Sequence, residues 1–530
     1  MKLLAALLLL SLLCEVHAAF TERLTLRPLP AINQVLGRFE FSVDESSSVS
    51  NSLLPNVLRQ ILTKHNAESL HLTLSVGRYA DWRYGSAHTF YGSGSAHAPF
   101  GTRLQVSLRG DQDVQQRWRG ITSELGAIFS ASLNQMDETV FTDLLPSSTL
   151  EEVGAFPATN ANPKFVFLHG SLAREELCTE NLTPWLKMLP CRAIEGLGAL
   201  IDPINALSGE YLSMSLFVAR STDDTWTLKQ HLTTVQSPSK HNKERWSLGS
   251  IFFANGQHTA EIRACPLAVE SLVYTESMGL VDTVTTDLRA TPVVLARPWF
   301  ETWKDAAKAA SSQHSYQTQE DVVSAHRFVT GYGQVRGGLA VQLKNNHASC
   351  GMRVTYTDVI PWYLRVYFHT FRASAAGSEQ EAQSLIRSFD FVPAELRGRP
   401  NQFRLEAFLP ANATLVFSLQ MDKAFLRLSE HPPDANRGFD IAPGVATFKV
   451  LDGNDGSSVC AKEAETPSFT TTLFTEPLLV PLPTPDFSMP YNVITMTSTV
   501  VAFFVGTMLN ALLRKAPRFK QMMASSSSAK

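Results

Sequence analysis

Short runs in which apolar and polar residues alternate cover much of the chain and predict β-strands. Residues 37–43 (GRFEFSV) and 69–76 (SLHLTLSV) alternate in this way, as expected of a strand with one face in the core. After residue 321 such runs recur at regular spacing with turn residues between them, which indicates a β-sandwich. The expected strands are 20–29, 37–43, 69–76, 164–170, 210–220, 225–235, 246–253, 325–333, 338–345, 352–360, 362–371, 402–410, 413–422 and 446–453.

Two segments of the first half have the 3.6-residue period of amphipathic helices. Ser52 is the expected cap of the first helix, and Pro55 is expected in its first turn. The apolar stripes consist of Leu54, Leu58, Ile61 and Leu62 in one helix, and of Val114, Trp118, Ile121, Leu125, Ile128 and Phe129 in the other. Core packing is the preferred role of the second stripe, and the fold class expected is mainly β with some α (α+β).

One C-terminal segment predicts a membrane-spanning helix. Residues 491–513 form an uncharged, apolar run. A run of this length can cross a hydrocarbon core as a helix. The basic residues that follow at 514, 515, 518 and 520 are expected to stay cytosolic, so the preceding chain lies across the membrane. A removable GPI-attachment tail is the alternative, but the basic and polar residues after the run argue against it.

The N-terminus predicts a secretory signal. A positive start, a short apolar core and a small-x-small site at 16–18 place the cleavage before Ala19, with an uncleaved anchor as the alternative. The polar stretch 311–321 is the best internal boundary. We therefore expect a signal peptide at 1–18, an α+β domain at 19–310, a β-sandwich domain at 322–485, a transmembrane helix at 491–513 and a cytosolic tail at 514–530.

Composition and motifs exclude several classes of function. The net charge of the chain is −3, whereas a nucleic-acid-binding protein normally carries an excess of basic residues. Neither H-E-x-x-H nor paired C-x-x-C is present, so no metal site is expected, and no cofactor is expected either. Residues 331–338 (GYGQVRGG) loosely resemble a phosphate-binding loop, but a strand pattern follows them, so they predict a β-turn between strands.

The cysteine count gives a sharper prediction. Cys14 lies in the signal, which leaves five cysteines in an oxidising compartment, and an odd number indicates a free thiol or a bond to another chain. Cys178 has acidic and polar neighbours, so it is expected to be exposed, although a buried unpaired cysteine is the alternative. Spacing does not determine connectivity, so the intrachain pairs Cys191 with Cys265 and Cys350 with Cys460 are guesses, and free Cys350 and Cys460 are the alternative to the second pair.

Two N-x-[ST] sequences are candidate glycosylation sites. Asn412 lies between two expected strands and is the better acceptor. Asn181 is the weaker candidate, because Pro184 follows its sequon and Cys178 lies close to it.

Several segments together resemble the PIG-T family of GPI transamidase subunits. They include residues 22–30 (ERLTLRPLP), 178–185 (CTENLTPW) with 189–191 (LPC), 265–268 (CPLA), 331–333 (GYG), 361–365 (PWYLR) and the approach to the membrane at 475–493. The resemblance runs from the expected mature N-terminus to the membrane helix. It implies a non-catalytic subunit of the endoplasmic reticulum that stabilises the transamidase complex and holds a caspase-like catalytic subunit.

The resemblance also implies a role for Cys178. The cysteine of the family's C-T-E-N-L-T-P-W motif, which falls on Cys178, forms a disulfide with the catalytic subunit. Multi-spanning subunits are the other implied partners. The sequence leaves open whether this chain contacts the GPI lipid and the proprotein substrates directly or indirectly. The competing hypotheses are a type I cell-surface recognition receptor and a lumenal cysteine enzyme.

Overall fold

The structure is a computed structural model, and it describes most of the chain outside the two termini and several loops. The described residues are 19–29, 32–46, 52–84, 98–142, 165–193, 195–220, 225–237, 246–253, 261–276, 283–296, 298–300, 323–331, 333, 335–347, 350–431, 437–450, 470–484, 488–513 and 524. The expected signal peptide and nearly all of the expected cytosolic tail lie outside them.

The described residues before 301 form fourteen strands. They are β1 (Ala19–Leu29), β2 (Gln34–Ser46), β3 (Ala67–Val76), β4 (Gly101–Arg109), β5 (Phe141–Thr142), β6 (Phe165–Leu172), β7 (Tyr211–Arg220), β8 (Thr225–Gln236), β9 (Trp246–Ser247), β10 (Glu261–Ile262), β11 (Ala268–Glu276), β12 (Thr283–Asp287), β13 (Val293–Val294) and β14 (Pro298–Phe300).

Ten of these strands build one sheet in the order β12-β11-β1-β2-β8-β7-β3-β4-β6-β5. Every neighbouring pair is antiparallel except β1 and β11, which are parallel. The remaining short strands pair as β10 with β13 and β9 with β14.

Helices cover this sheet and share its hydrophobic core. They are α1 (Asn56–Lys64), α2 (Asp81–Tyr84), α3 (Val114–Phe129), α4 (Thr179–Lys187), α5 (Pro203–Leu207) and α6 (Leu248–Phe252). In α3, Trp118, Ile121 and Leu125 are buried at the spacing of one helical face. They join strand residues such as Leu70 and Leu72 in one core, so the second predicted stripe is indeed core packing.

The described residues from 323 to 480 form eleven further strands. They are β15 (Val323–Thr330), β16 (Arg336–Asn345), β17 (Met352–Ile360), β18 (Leu364–Ala375), β19 (Ile386–Val392), β20 (Asn401–Leu409), β21 (Thr414–Lys423), β22 (Phe439–Ile441), β23 (Val445–Val450), β24 (Thr470–Phe474) and β25 (Leu478–Val480). One helix, α7 (Glu379–Leu385), lies between β18 and β19.

Two sheets of this second region share a core. Their orders are β15-β16-β21-β18 and β19-β20-β17-β23-β24, and burial alternates along β17 and β20 as in a sheet with one inner face. Phe417 of the first sheet and Tyr356 and Phe403 of the second belong to the same cluster. Together with the ten-stranded sheet, this architecture confirms the mainly β fold class with some α.

A long apolar helix, α8 (Ser488–Leu513), follows the second β region. Its stretch Tyr491–Leu513 is long and apolar enough to cross a membrane. Thr495 and Thr499 donate their hydroxyl protons to the carbonyls of Tyr491 and Thr495. Because the hydroxyls are satisfied within the helix, they do not prevent its insertion into lipid.

Two local predictions were wrong. Residues 246–253 were expected to form a strand, but only Trp246–Ser247 does so and α6 follows. The Ser247 hydroxyl accepts the Ser250 N–H and caps the helix, and an apolar run alone does not distinguish a buried helix from a buried strand. Ser52 does not cap α1, because its hydroxyl donates to Glu45, and Pro55 occupies the capping position.

Candidate functional site

Cys178 lies at the surface of the first region, immediately before α4. It is the free cysteine among the described residues, and it is exposed. The preceding residue, Leu177, is buried, and its backbone N–H donates to the carbonyl of Ser75. The thiol is therefore presented to solvent from a segment whose neighbouring side chain lies in the core.

The loop that leads to Cys178 is held by contacts with distant parts of the chain. The Thr102 hydroxyl donates to the Glu175 carbonyl at 2.6 Å, and the Glu175 side chain accepts the Ser132 N–H at 2.9 Å. Together with the hydrogen bond from the Leu177 N–H, these contacts attach the loop to Thr102, Ser132 and Ser75. The position of the thiol is thus set by the fold before any partner binds.

Asn181 fixes the cysteine from within the helix. Its Oδ1 accepts both the Cys178 N–H at 2.8 Å and the Cys178 Sγ–H at 2.9 Å. Its Nδ2 donates to the carbonyl of Phe129 at 2.7 Å, and the side chain is only 1% exposed. This capping role was missed in the sequence, where the residue attracted notice as a sequon. The signal is the spacing, since Cys178 at the N-cap and Asn181 at N3 reproduce a capping box.

Helix α4 is packed firmly against the sheet. Leu182, Trp185 and Leu186 are buried on one face. The Trp185 indole N–H donates to the Ser215 carbonyl at 3.0 Å, and Gln230 donates to the Trp185 carbonyl at 3.1 Å. The helix is a rigid support for the cysteine at its N-terminus.

A disulfide joins Cys191 and Cys265, with Cα atoms 5.6 Å apart. This is the first of the two pairs that the sequence suggested. Cys350 is also disulfide-bonded, but Cys460, its expected partner, lies outside the described residues, so that pairing stays a prediction.

A cleft of about 690 Å³ lies between the two β regions beside the Cys178 loop. Arg174 and Glu175 line it from the first region, and Tyr363, Phe439 and Asp440 line it from the second. The cleft brings the loop that precedes Cys178 next to the sandwich.

A carboxylate also connects the two regions. Glu476, which follows β24, lies 3.0 Å from Arg78 of the first region and 2.8 Å from the His326 ring. Its other oxygen accepts the Arg327 N–H at 2.7 Å. Burial opposes ionisation of this half-buried group, yet the bonds from His326 and Arg327 and the Arg78 charge lower the pKa of Glu476 to about 2. The segment that leads to α8 therefore contacts both regions.

The two glycosylation candidates differ in accessibility. Asn412 is exposed in the turn between β20 and β21, with a φ of 54°. Asn181 is buried with its amide groups hydrogen-bonded, and the Thr183 hydroxyl donates to the Thr179 carbonyl. The structure thus argues against Asn181 as a glycan acceptor, because the side chain is needed inside the fold.

Within the described ranges, no group of three or more His, Cys, Asp or Glu residues is arranged to hold a metal ion. The Cys178 thiol donates its proton to the Asn181 amide oxygen. An amide oxygen accepts the thiol proton without removing it, so this arrangement positions the sulfur and does not activate it.

Comparison with known families gives one consistent result. The family described as "Gpi16 subunit, GPI transamidase component" matches residues 4–251 and 238–530. A mouse protein named "GPI-anchor transamidase component PIGT" is 32% identical over 93% of this chain and 89% of its own length. The Saccharomyces cerevisiae "GPI transamidase component GPI16" is 26% identical over 94% of this chain and 88% of its own. The similarity extends over both β regions and the apolar helix.

The likeness to solved structures is weak by contrast. The collagen-binding subdomain of an Enterococcus faecalis surface protein covers 29% of this chain, and 96% of that subdomain is matched, at 9% identity and a TM-score of 0.19. A score this low carries no argument about fold or function.

Proposed function

The chain belongs to the Gpi16 family of GPI transamidase components, and from this premise we propose that it is a non-catalytic subunit that holds the caspase-like catalytic subunit by a disulfide at Cys178. As a component, it works in a complex with other subunits. The proposed role is to stabilise that complex and to keep the protease in place while GPI anchors are attached to proteins.

The fixed and exposed thiol of Cys178 is the observation that carries this proposal. The cysteine is accessible, while its loop is tied to Thr102, Ser132 and Ser75. A thiol that is accessible and pre-positioned can form an intermolecular disulfide with little loss of conformational entropy. The same sulfur donates to the Asn181 amide oxygen rather than to a base, which favours a structural role over nucleophilic catalysis.

The apolar helix supports the proposed location. We place α8 across the endoplasmic reticulum membrane, with the two β regions in the lumen and the basic residues after 513 in the cytosol. Disulfides form in that lumen, which agrees with the Cys191–Cys265 bond. The exposed Asn412 is the proposed glycan acceptor, and its glycan should remain sensitive to endoglycosidase H if the protein stays in this compartment.

A non-reducing gel of membranes tests the disulfide. Wild type and Cys178→Ser would be expressed as full chains with a tag, and the gel probed for the tag and for the caspase-like subunit. We expect an adduct in wild type that disappears with reductant and is absent in Cys178→Ser. Wild-type chains that migrate as monomers without reductant would rule out the covalent link.

A second variant tests whether the position of the thiol matters. Cys178→Ser combined with Thr179→Cys moves the thiol one residue, or about 100° around the helix. We expect it to restore little of the adduct, while co-purification under reducing conditions stays close to wild type. Full recovery would show that a flexible contact, and not a pre-positioned thiol, makes the bond.

The competing functions make different predictions. A cysteine enzyme would process a GPI-signal peptide as the purified chain and lose that activity in Cys178→Ser without loss of assembly. A cell-surface receptor would acquire endoglycosidase H-resistant glycans and be labelled by membrane-impermeant biotin. Either result would overturn the proposed role.

A further inference from the structure

Three large apolar side chains are exposed on loops of the sandwich. Phe425 is 70% exposed, Leu396 65% and Val335 41%. They lie in the loops that follow β21, β19 and β15. Exposed apolar groups of this size mark contact with another protein or with a membrane when they share one surface, so the relative position of the three loops decides their meaning.

Hydrogen bonds join the loop of Val335 to the loop of Phe425. The N–H of Lys423, the last residue of β21, donates to the Val335 carbonyl at 2.7 Å. The Lys423 ammonium group donates to the Gly333 carbonyl at 2.9 Å. The loop after β15 and the loop after β21 therefore lie side by side.

An ion pair joins the loop of Leu396 to the loop of Phe425. Arg397, which follows Leu396, pairs with Glu430 in the connection after β21. The Arg397 guanidinium also lies 5.3 Å from the centre of the Trp362 ring. All three loops are thus attached to the same end of the sandwich.

The loops at the other end of the sandwich differ. Their described residues are 346–347, 350–351, 376–378 and 410–413, next to the paired ends of β16, β17, β18 and β21. None of these described residues exposes a large apolar side chain. Within the described loops of the sandwich, such side chains are therefore confined to the end that carries Phe425.

The chain leaves the sandwich at the end that carries Phe425. The strand before α8, β25, is antiparallel to β22 and ends with Val480 opposite Phe439. The Phe439 ring lies 4.7 Å from the Tyr363 ring, and the Tyr363 carbonyl accepts the Ala424 N–H at 2.8 Å. The segment that leads to α8 therefore starts beside the three apolar loops.

A short connection limits the distance between this end and α8. Leu482 is 6% exposed and still belongs to the sandwich core, and α8 begins at Ser488. The residues between them span at most about 20 Å even when fully extended. Wherever α8 crosses a bilayer, the lipid surface therefore lies close to this end of the sandwich.

We propose that Val335, Leu396 and Phe425 insert into the headgroup layer of the lumenal leaflet and hold the sandwich against the membrane. This inference rests on the proposed placement of α8. Lipid is favoured over a protein partner, because the short connection keeps a bilayer next to these loops whatever other subunits bind. Apolar side chains that enter this layer leave water. The exposed Arg427, close to Phe425 in the chain, buries its stem there and keeps its guanidinium at the lipid phosphates.

Photocrosslinking of the full chain in its native membranes tests the proposal. Benzoylphenylalanine replaces Phe425 or Leu396, and the phospholipids carry alkyne-labelled acyl chains. Gln380, exposed on α7 at the opposite end of the sandwich, is the matched control position. After irradiation and purification under denaturing conditions, we expect lipid adducts at 425 and 396 at least about fivefold above those at 380, because only the first two positions lie in the lipid layer.

A second variant tests whether the three side chains insert together. With benzoylphenylalanine in place of Val335, the pair Leu396→Ser and Phe425→Ser should lower the lipid adduct about fivefold, because less apolar surface enters the lipid. Both substitutions are at exposed positions, so the Cys178 adduct should persist. Ile204→Ser, at a position of α5 that is 76% exposed, should leave the lipid adduct unchanged. An undiminished adduct in the double variant would contradict insertion by these side chains.

Other outcomes would overturn the proposal. Equal lipid labelling at 425 and 380 would mean that this end of the sandwich does not enter the lipid layer. A protein adduct of discrete mass at 425, without a lipid adduct, would mean that the loops bind another subunit. Digestion of the sandwich by protease added outside sealed microsomes would show that α8 is placed wrongly, and the proposed function would fail with it. A protected sandwich without lipid adducts would refute the insertion alone.

Discussion

A buried carboxylate organises each of the two β regions, but their partners differ in kind. Glu22, on β1, is 1% exposed and accepts the N–H groups of Leu197 and Cys265 and the Ser271 hydroxyl. Asp358, on β17, is equally buried; it accepts the Tyr356 hydroxyl proton and the Val359 N–H, and it also faces the Arg327 guanidinium at 2.7 Å. Among the described residues, the first carboxylate is held by neutral donors, whereas the second has a counter-charge as well.

This difference separates two ways of satisfying a buried charge. The Glu22 site requires that backbone donors be placed correctly, and the Cys191–Cys265 bond lies next to one of them. The Asp358 site requires that a cation remain opposite, and that cation also donates to the Glu476 carbonyl. We therefore expect a change in local geometry to destabilise the Glu22 site most, and a loss of charge to destabilise the Asp358 site most.

Removal of the Asp358 carboxylate should have the largest effect. Asp358→Ala leaves the Arg327 charge buried without its partner, which typically costs about 3–5 kcal/mol. We expect faster hydrogen–deuterium exchange in β17 and β20, with the first region unaffected. The control is Asp390→Ala at an exposed position of β19. Unchanged protection of β17 would show that the ion pair contributes little to stability.

Glu22→Gln should have an intermediate effect. The amide retains the oxygen that accepts from Cys265 and Ser271 but turns an NH₂ group toward the Leu197 N–H. One unsatisfied buried donor costs about 1–3 kcal/mol. Exchange in β1 and β11 should increase, whereas Glu180→Gln on the exposed side of α4 should have no effect. A Glu22→Gln variant as stable as wild type would mean that the local geometry is sufficient to stabilise this site and that the carboxylate is not needed.

Loss of the ionised Glu476 carboxylate, which connects the two regions, should have the smallest effect, and this effect should depend on pH. The pKa of Glu476 is lowered to about 2, so its stabilising contribution is complete above about pH 4.5 and is lost as the pH falls toward 2. Because solvent screens this half-buried group, the contribution is about 1 kcal/mol. Exchange in β15 should be faster in Glu476→Gln than in wild type at pH 5, and this difference should shrink by pH 2.5.

Two comparisons sharpen that test. Arg78→Gln removes only the ion pair with the first region, so its effect should be smaller than that of Glu476→Gln and should decrease with salt. His326 and Arg327 remain in place in that variant. A difference between Glu476→Gln and wild type that persists unchanged at pH 2.5 would contradict the role of the ionised carboxylate.

Patterns local in sequence predicted much of the fold. Alternation located β2, β3, β17, β20 and β21, because one face of each strand lies in a core. The same reasoning missed α7 and β19, whose burial hardly alternates. It also gave no strand order, since the parallel pairing of β1 with β11 joins residues as distant in the chain as Thr21 and Glu270.

The candidate site was predicted only in part, because local sequence patterns do not relate residues that are distant in the chain. The acidic and polar surroundings of Cys178 indicated exposure, and the structure has it exposed. Its supports at Ser75, Thr102 and Ser132 are distant in the chain, and no periodicity relates them. The pair of Arg78 and Glu476 likewise depends on how two independently patterned regions meet.

β1 is an interior strand of the ten-stranded sheet, the third from one end, and this position has a consequence for biosynthesis. β1 lies between β2, which follows it directly, and β11, which is translated more than two hundred residues later. One edge of β1 must therefore stay unpaired while the intervening chain enters the lumen, and an unpaired strand edge attracts other chains. Folding of this region should thus wait until β11 has been translated, and chaperones should shield the open edge of β1 until then.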